Sequence, residues 1–122
     1  GADISQKLLD LVPQGLYKSL ERIDLNKKLI FEDDKFDSVF CVGTFTFGHV
    51  KPDALDEFIR ITKKNGLICF TINVGVFKDY GFDKKIDNLV AKNKWEKIDF
   101  FKSNYLSSKD VNAWLGIYKV TK

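Results

Sequence analysis

Histidine is nearly absent from this chain, with His49 alone among 122 residues, and cysteine is limited to Cys41 and Cys69. One imidazole and no paired-cysteine motif leave no ligand set for a structural zinc, and no metal site is expected. Two cysteines set in apolar runs do not make a disulfide framework, which needs more of them, in loops. Both are expected as buried, reduced thiols on neighbouring strands. No apolar run approaches the ~20 residues that span a bilayer, and no stretch reads as a signal peptide. The expectation is a cytoplasmic protein without a membrane partner. A one-sided charge is missing too: 20 basic residues face 17 acidic ones, a net +3. The lysine pairs Lys27-Lys28, Lys63-Lys64 and Lys84-Lys85 have acids close by, so they do not build the single basic face of a nucleic-acid binder. Repeats and low-complexity stretches are also lacking.

What is present suits one packed domain over residues 1–122. Apolar residues make up 44% and charged residues 30%, and the 11 phenylalanines and 2 tryptophans supply a core. Short apolar runs alternate with amphipathic ones, the pattern of an α/β sheet. Gly1 to Ser5 reads as a strand tail followed by a helix cap at Ser5. Leu8, Leu9 and Val12 recur at helical spacing, and Pro13 and Gly15 end that helix. Leu20 to Leu25 reads as a weak strand, and 26–35 as mostly loop. Phe36 to Val42 is almost continuously apolar, predicting a strand buried on both faces and ending at Gly43. Pro52 and Asp53 open a helix with Ala54, Leu55, Phe58, Ile59 and Thr62 inward; Lys63, Lys64 and Gly66 suit its end. Leu67 to Val74 is another apolar strand. Asp83 to Lys92 is a helix with Ile86, Leu89 and Val90 inward. Trp95 to Phe101 and Ala113 to Val120 complete the chain as an antiparallel pair at the sheet edge.

Several residues invite chemistry. Asp3, at a strand end, offers two acceptor oxygens to a pair of hydroxyls; equally, it leads the next helix together with Ser5. Asp24 is a second carboxylate after a strand, or a solvated loop acid. Gly43-Thr44-Phe45 follow a strand at the end where open α/β sheets bind ligands, or form a turn whose phenylalanine packs under the next helix. Gly43 and Gly48 have phosphate-loop spacing, but His49 and Val50 stand where that motif needs Lys and Ser or Thr, so it fails. His49 is a weak candidate base for an acceptor's proton, and more often such a histidine is structural. Asn73, at a strand end, is a candidate for a substrate cleft.

Taken in order, these segments resemble class I S-adenosylmethionine-dependent methyltransferases. Gly1-Ala2-Asp3-Ile4-Ser5 is similar to the family's second strand and its acidic end. Asp24 falls where an acid often follows the third strand. Phe36-Asp37-Ser38-Val39 resembles the opening of the fourth strand. Leu55 to Ile68 resembles the following helix, turn and strand, with Lys64 and Asn65 in place of the usual Pro and Gly. Gly15-Leu16-Tyr17 and the Trp95 segment resemble the methyltransferase-like branch named for the Williams-Beuren region. The resemblance implies a Rossmann-like sheet with helices on both faces and a C-terminal antiparallel hairpin. It implies S-adenosylmethionine as cofactor, held by Asp3, Ile4, Ser5, Asp24, Leu25, Gly43, Thr44 and Phe45. The methyl acceptor it implies is a small molecule or a protein; no Asn-Pro-Pro-Tyr type motif points to nucleic-acid bases. The family's first strand and glycine-rich loop would lie before Gly1. The expectation is therefore a domain truncated at its N-terminus, either the larger part of an enzyme or a non-catalytic domain. Unpaired strand edges would then favour association, for example as a homodimer.

Overall fold

The structure is a computed structural model that describes residues 1–48 and 50–122, with the backbone alone for 105–107. The described chain divides into two compact units, Gly1–Ile30 and Phe31–Lys122.

In the first unit, β1 (Ala2–Asp3) leads into α1 (Gln6–Asp10), and the chain returns as β2 (Glu21–Arg22). The two strands run parallel, Ala2 opposite Glu21 and Asp3 opposite Arg22. Ser5 caps α1: its hydroxyl accepts the Leu8 N–H at 3.3 Å, satisfying one of the N–H groups a helix start leaves without an intrahelical partner. The helix stops at Asp10, two residues before the position that Pro13 disfavours for helical geometry.

The second unit contains β3 (Phe36–Phe45), α2 (Ala54–Ile61), β4 (Thr62–Asn73), α3 (Val74–Phe77), α4 (Phe82–Ala91), β5 (Trp95–Leu106) and β6 (Val111–Val120). Its sheet has the order β3-β4-β6-β5. β3 and β4 are parallel, with α2 as their crossover, and β6 runs antiparallel to both β4 and β5. This is the expected α/β Rossmann-like architecture, a mixed sheet with helices. The hairpin has a specific arrangement: β6 lies inside the sheet and β5 forms the edge.

Alternation along the strands sorts side chains by face. Ile68, Phe70 and Ile72 pair with Tyr118, Gly116 and Trp114 and share one face. That face holds the core. Trp95 stacks on Tyr118 at 4.3 Å and on Phe70 at 5.8 Å. α2 brings Phe58 to within 6.0 Å of Phe45, and α4 brings Phe82 to 4.8 Å. The Trp95 indole N–H donates to the Ile86 carbonyl on α4 at 3.4 Å, and Phe77 of α3 lies 5.5 Å from Trp114. On the opposite face Phe40 is 72% exposed and Val42 61%, with Leu67 and Phe101 also exposed.

β3 is therefore not buried on both faces as its apolar run predicts; the described helices of this unit all meet the other face. Nor does β3 end at Gly43. It continues to Phe45, with a shift in register between Cys41 and Phe45. α2 ends at Ile61, ahead of the lysine pair. Thr62 turns extended, at φ −93° and ψ 133°, while its hydroxyl donates to the Phe58 carbonyl at 2.6 Å. A threonine back-bonding in this way competes with helix continuation. Lys63 and Lys64 follow in a loop-out within β4, where Lys63 pairs with Asp37. Val90, expected inward on α4, is exposed.

Candidate functional site

Parallel pairing brings the carboxyl ends of β1 and β2 side by side, and with them Asp3, Ile4, Ser5, Asp24 and Leu25. The Ile23 N–H donates to the Asp3 carbonyl at 2.9 Å, tying the two ends together. One carboxylate oxygen of Asp3 accepts the Ser5 N–H at 2.8 Å. That bond orients the half-buried carboxylate, while the Ser5 hydroxyl does the helix capping. A carboxylate has about four lone-pair sites, so one N–H leaves capacity for a pair of hydroxyls. Asp24 forms an Asx turn, accepting the Asn26 N–H at 2.9 Å, and half-buried Leu25 stands beside it. Ile4 is exposed, and its carbonyl accepts the Arg22 Nε–H at 3.1 Å. A carboxylate acceptor, a second acid and an apolar surface at one strand end form a set that fits a nucleoside: diol, amino group and base face.

In the second unit, Gly43 and Thr44 lie in a bulge of β3. Gly43 adopts φ +76°, a left-handed conformation that side chains resist, and its N–H donates to the Thr71 hydroxyl at 2.9 Å. The bulge shifts the β3–β4 register between Cys41 and Phe45, a common device beside binding sites. Thr44 hydrogen-bonds the Cys41 thiol. Phe45 corrects the sequence reading. Its ring is 1% exposed and packed among Phe58, Phe70 and Phe82, so it belongs to the core and presents no surface to a cofactor. The packing reading of that segment, weighed against the ligand reading, is the one realised for this side chain. His49 lies outside the described residues. Asn73 spends its side-chain oxygen on the Gly75 N–H at 2.8 Å as the cap of α3.

The periodicity of the chain gave no notice of Phe47 and Tyr80. The Phe47 ring lies against Gly75, where an added Cβ would meet its Cζ at 2.5 Å. The Tyr80 hydroxyl accepts the Gly48 N–H at 2.9 Å. Together they fasten the loop after β3 to the connection after β4. The one available signal is the Tyr80-Gly81 turn before α4, with Gly81 at φ +78°. Beside this seam opens a cavity of about 830 Å³, lined by Gly48, Lys51, Asp53, Tyr80, Lys84 and Lys85 among others. Among the described residues no group of three or more His, Cys, Asp or Glu side chains could hold a metal. Nor is any described helix long and apolar enough to cross a membrane.

Comparison with solved structures returns the same fold. A protein from Listeria monocytogenes assigned as an S-adenosylmethionine-dependent methyltransferase superposes with a TM-score of 0.70 at 12% identity, covering 100% of this chain and 79% of that one. A protein from Pyrococcus horikoshii gives 0.63 at 17% identity, over 99% and 70%. The N-methyltransferase NodS from Bradyrhizobium japonicum, solved with S-adenosyl-L-homocysteine, gives 0.60 at 12% identity, over 85% and 55%. No curated protein matches the chain in sequence. The family model described as "Methyltransferase domain" matches residues 1–70, which is more than half of the chain and includes β1, β2, β3 and α2. With that match laid over this strand order and these strand-end carboxylates, the chain belongs to the methyltransferase domain family.

Proposed function

We propose that this domain transfers a methyl group from S-adenosylmethionine to a small-molecule or protein acceptor. The observation that carries the reading is the meeting of Asp3, Asp24 and Leu25 at the carboxyl ends of two parallel strands. Asp3 accepts the ribose hydroxyls, with Ile4 and Ser5 flanking it. Asp24 accepts the adenine amino group, and Leu25 covers the adenine face. The cofactor, when bound, supplies a methyl already activated on a sulfonium. The chain's own residues position the partners and exclude water, so no fixed catalytic dyad is required. Gly15-Leu16-Tyr17 and the Trp95 segment support placement in the Williams-Beuren region branch, and the scarce, reduced cysteines support a cytoplasmic setting.

The test is calorimetric titration with S-adenosylhomocysteine beside an Asp3→Ala variant. Hydrogen bonds to a charged group are worth about 1.5–3 kcal/mol, so the substitution should weaken binding about 10–100-fold. A folded sample that binds with unchanged affinity after the substitution, or does not bind at all, would overturn the assignment.

A second reading concerns association, and the free edge of β3 favours it. Among the described residues β3 pairs with β4 alone, and the exposed Phe40 and Val42 lie along it. Its sequence has no lysine or proline to deter pairing. The edge accepts a further strand, from a preceding segment or from a second copy in a homodimer. A domain that only associated in this way would be non-catalytic, and the same titration separates the two.

A further inference from the structure

We infer that the groove between α4 and the β5–β6 hairpin is a binding site for a small organic amine, an ammonium carried on an apolar body. The groove lies wholly within the second unit and uses none of the residues gathered at the ends of β1 and β2. Its volume is about 450 Å³, inside the range of about 300–1,000 Å³ that holds small ligands. On its sheet side Lys97 lies opposite Tyr118 and Phe100 opposite Gly116, with a shift in register between Lys97 and Asp99. β5 is the edge strand, and such irregularities on edges are common neighbours of binding sites.

The Tyr118 hydroxyl marks the site. Tyr118 is 3% exposed, with its ring stacked on Trp95 and Phe70. Its hydroxyl nevertheless has no hydrogen-bond partner among the described residues. No fully sealed side-chain oxygen or nitrogen of those residues lacks a partner, so this hydroxyl opens into the groove that Tyr118 lines. Buried polar groups are normally satisfied, and here the partner has to come from the groove.

The field at that hydroxyl is negative. Burial, then the charge of Asp87, pushes the phenol up to about 12. The Asp87 carboxylate has no hydrogen bond or ion pair among the described residues. Half-buried Asp83 adds a second carboxylate, which accepts the neighbouring Lys84 N–H. Lys97, the one cation among the described lining residues, is exposed and is not among the groups that move the phenol. Phe77, Phe100 and Val90 form an apolar wall, the two rings 5.7 Å apart. An ammonium beside Asp87 donates to the Tyr118 oxygen and meets aromatic surface, which attracts cations; its apolar body covers the wall. An anion would meet two carboxylates, and a neutral ligand would leave them unanswered.

The experiment is an amide NMR titration of the chain with phenethylammonium, hydrocinnamate and phenethyl alcohol, following Asp87 on one wall and Phe100 on the other. The ammonium should shift both amides and bind about tenfold more tightly than either other probe. Tyr118→Phe, which keeps the ring stack, should weaken that binding about tenfold. The same variant should leave the urea midpoint unchanged or higher, because the hydroxyl it removes has no protein partner. Asp87→Asn should also weaken the ammonium about tenfold. Asp110→Asn, an equal change of charge in the turn before β6, should alter it less than about twofold. Equal binding of the three probes, or no shift at either amide, would leave a groove that holds water alone and overturns the site. So would Asp87→Asn and Asp110→Asn weakening binding alike, or a lowered midpoint in Tyr118→Phe.

Discussion

Cys41 and Cys69 are one position out of step across β3 and β4, Cys41 opposite Phe70 and Phe40 opposite Cys69. Alternation therefore sends them to opposite faces. Cys41 enters the core at 7% exposure, while Cys69 is only half-buried. Neighbouring strands were legible from the sequence; equal burial was not realised, because the described helices of the second unit all pack on the Cys41 face of β3 and β4. Burial pushes the Cys41 thiol up to about 11, against a weaker lowering by its Thr44 hydrogen bond, and raises Cys69 as well. A disulfide-exchange reagent at pH 8 should thus titrate Cys69 first and Cys41 only on unfolding. Burial, then the charge of Asp87, lifts Tyr118 to about 12. Both groups stay neutral in the folded state at pH values where the unfolded chain ionises, at 9.0 for Cys and 10.0 for Tyr. Their stabilising effect is whole below pH 9 and is lost as pH rises toward 11 for Cys41 and 12 for Tyr118. Unfolding free energy from urea titrations should fall across that window, by about 2–3 kcal/mol for the buried Cys41, and Cys41→Ala should make the 9-to-11 segment shallower, leaving the part due to Cys69 and Tyr118.

Among the elements, β3 and β6 show what pattern reading reaches and misses. The apolar run of β3 located the strand, and its glycine located the departure at residue 43. Whether that glycine ends a strand or bulges it depends on Thr71 receiving its N–H and on Phe45 filling the core beyond. Both partners are distant in sequence, so local pattern cannot decide. On β6, Gly116 faces Phe70, and an added Cβ would lie 2.6 Å from the ring. That ring is locked between Trp95, Tyr118 and Phe45. Gly116→Ala should therefore destabilise by about 1–3 kcal/mol despite improving strand propensity, read as a lowered urea midpoint with an unchanged denaturant slope. Phe82→Ala at the opening of α4, which empties a fully buried site against Phe45, should cost about 3–5 kcal/mol.

At the scale of the molecule, the exposed row on β3 is the feature with the widest consequences. Phe40 and Val42 stand on a strand whose one charge, Asp37, lies at its start, so nothing charged sits beside them to repel another strand. If that edge mediates association, the double substitution Phe40→Lys and Val42→Lys should move sedimentation toward the monomer. Because both side chains are mostly exposed, folded stability should change by less than about 0.5 kcal/mol per site. A parent chain that is monomeric at every concentration, or an association that survives the substitutions, would remove the edge from consideration.

The sequence by itself determined the class of fold, the order of its elements apart from α3, and the acids at the strand ends. Apolar periodicity and capping residues are local signals, and Ser5, Asp3 and Asp24 carry theirs within a few positions. Tertiary structure alone decided which face of β3 is covered, that Phe45 is core rather than ligand surface, and that Tyr80 meets Gly48 across 32 positions to frame a cavity. Those outcomes depend on which distant side chains fill a shared volume, and packing of that kind leaves no period in the chain.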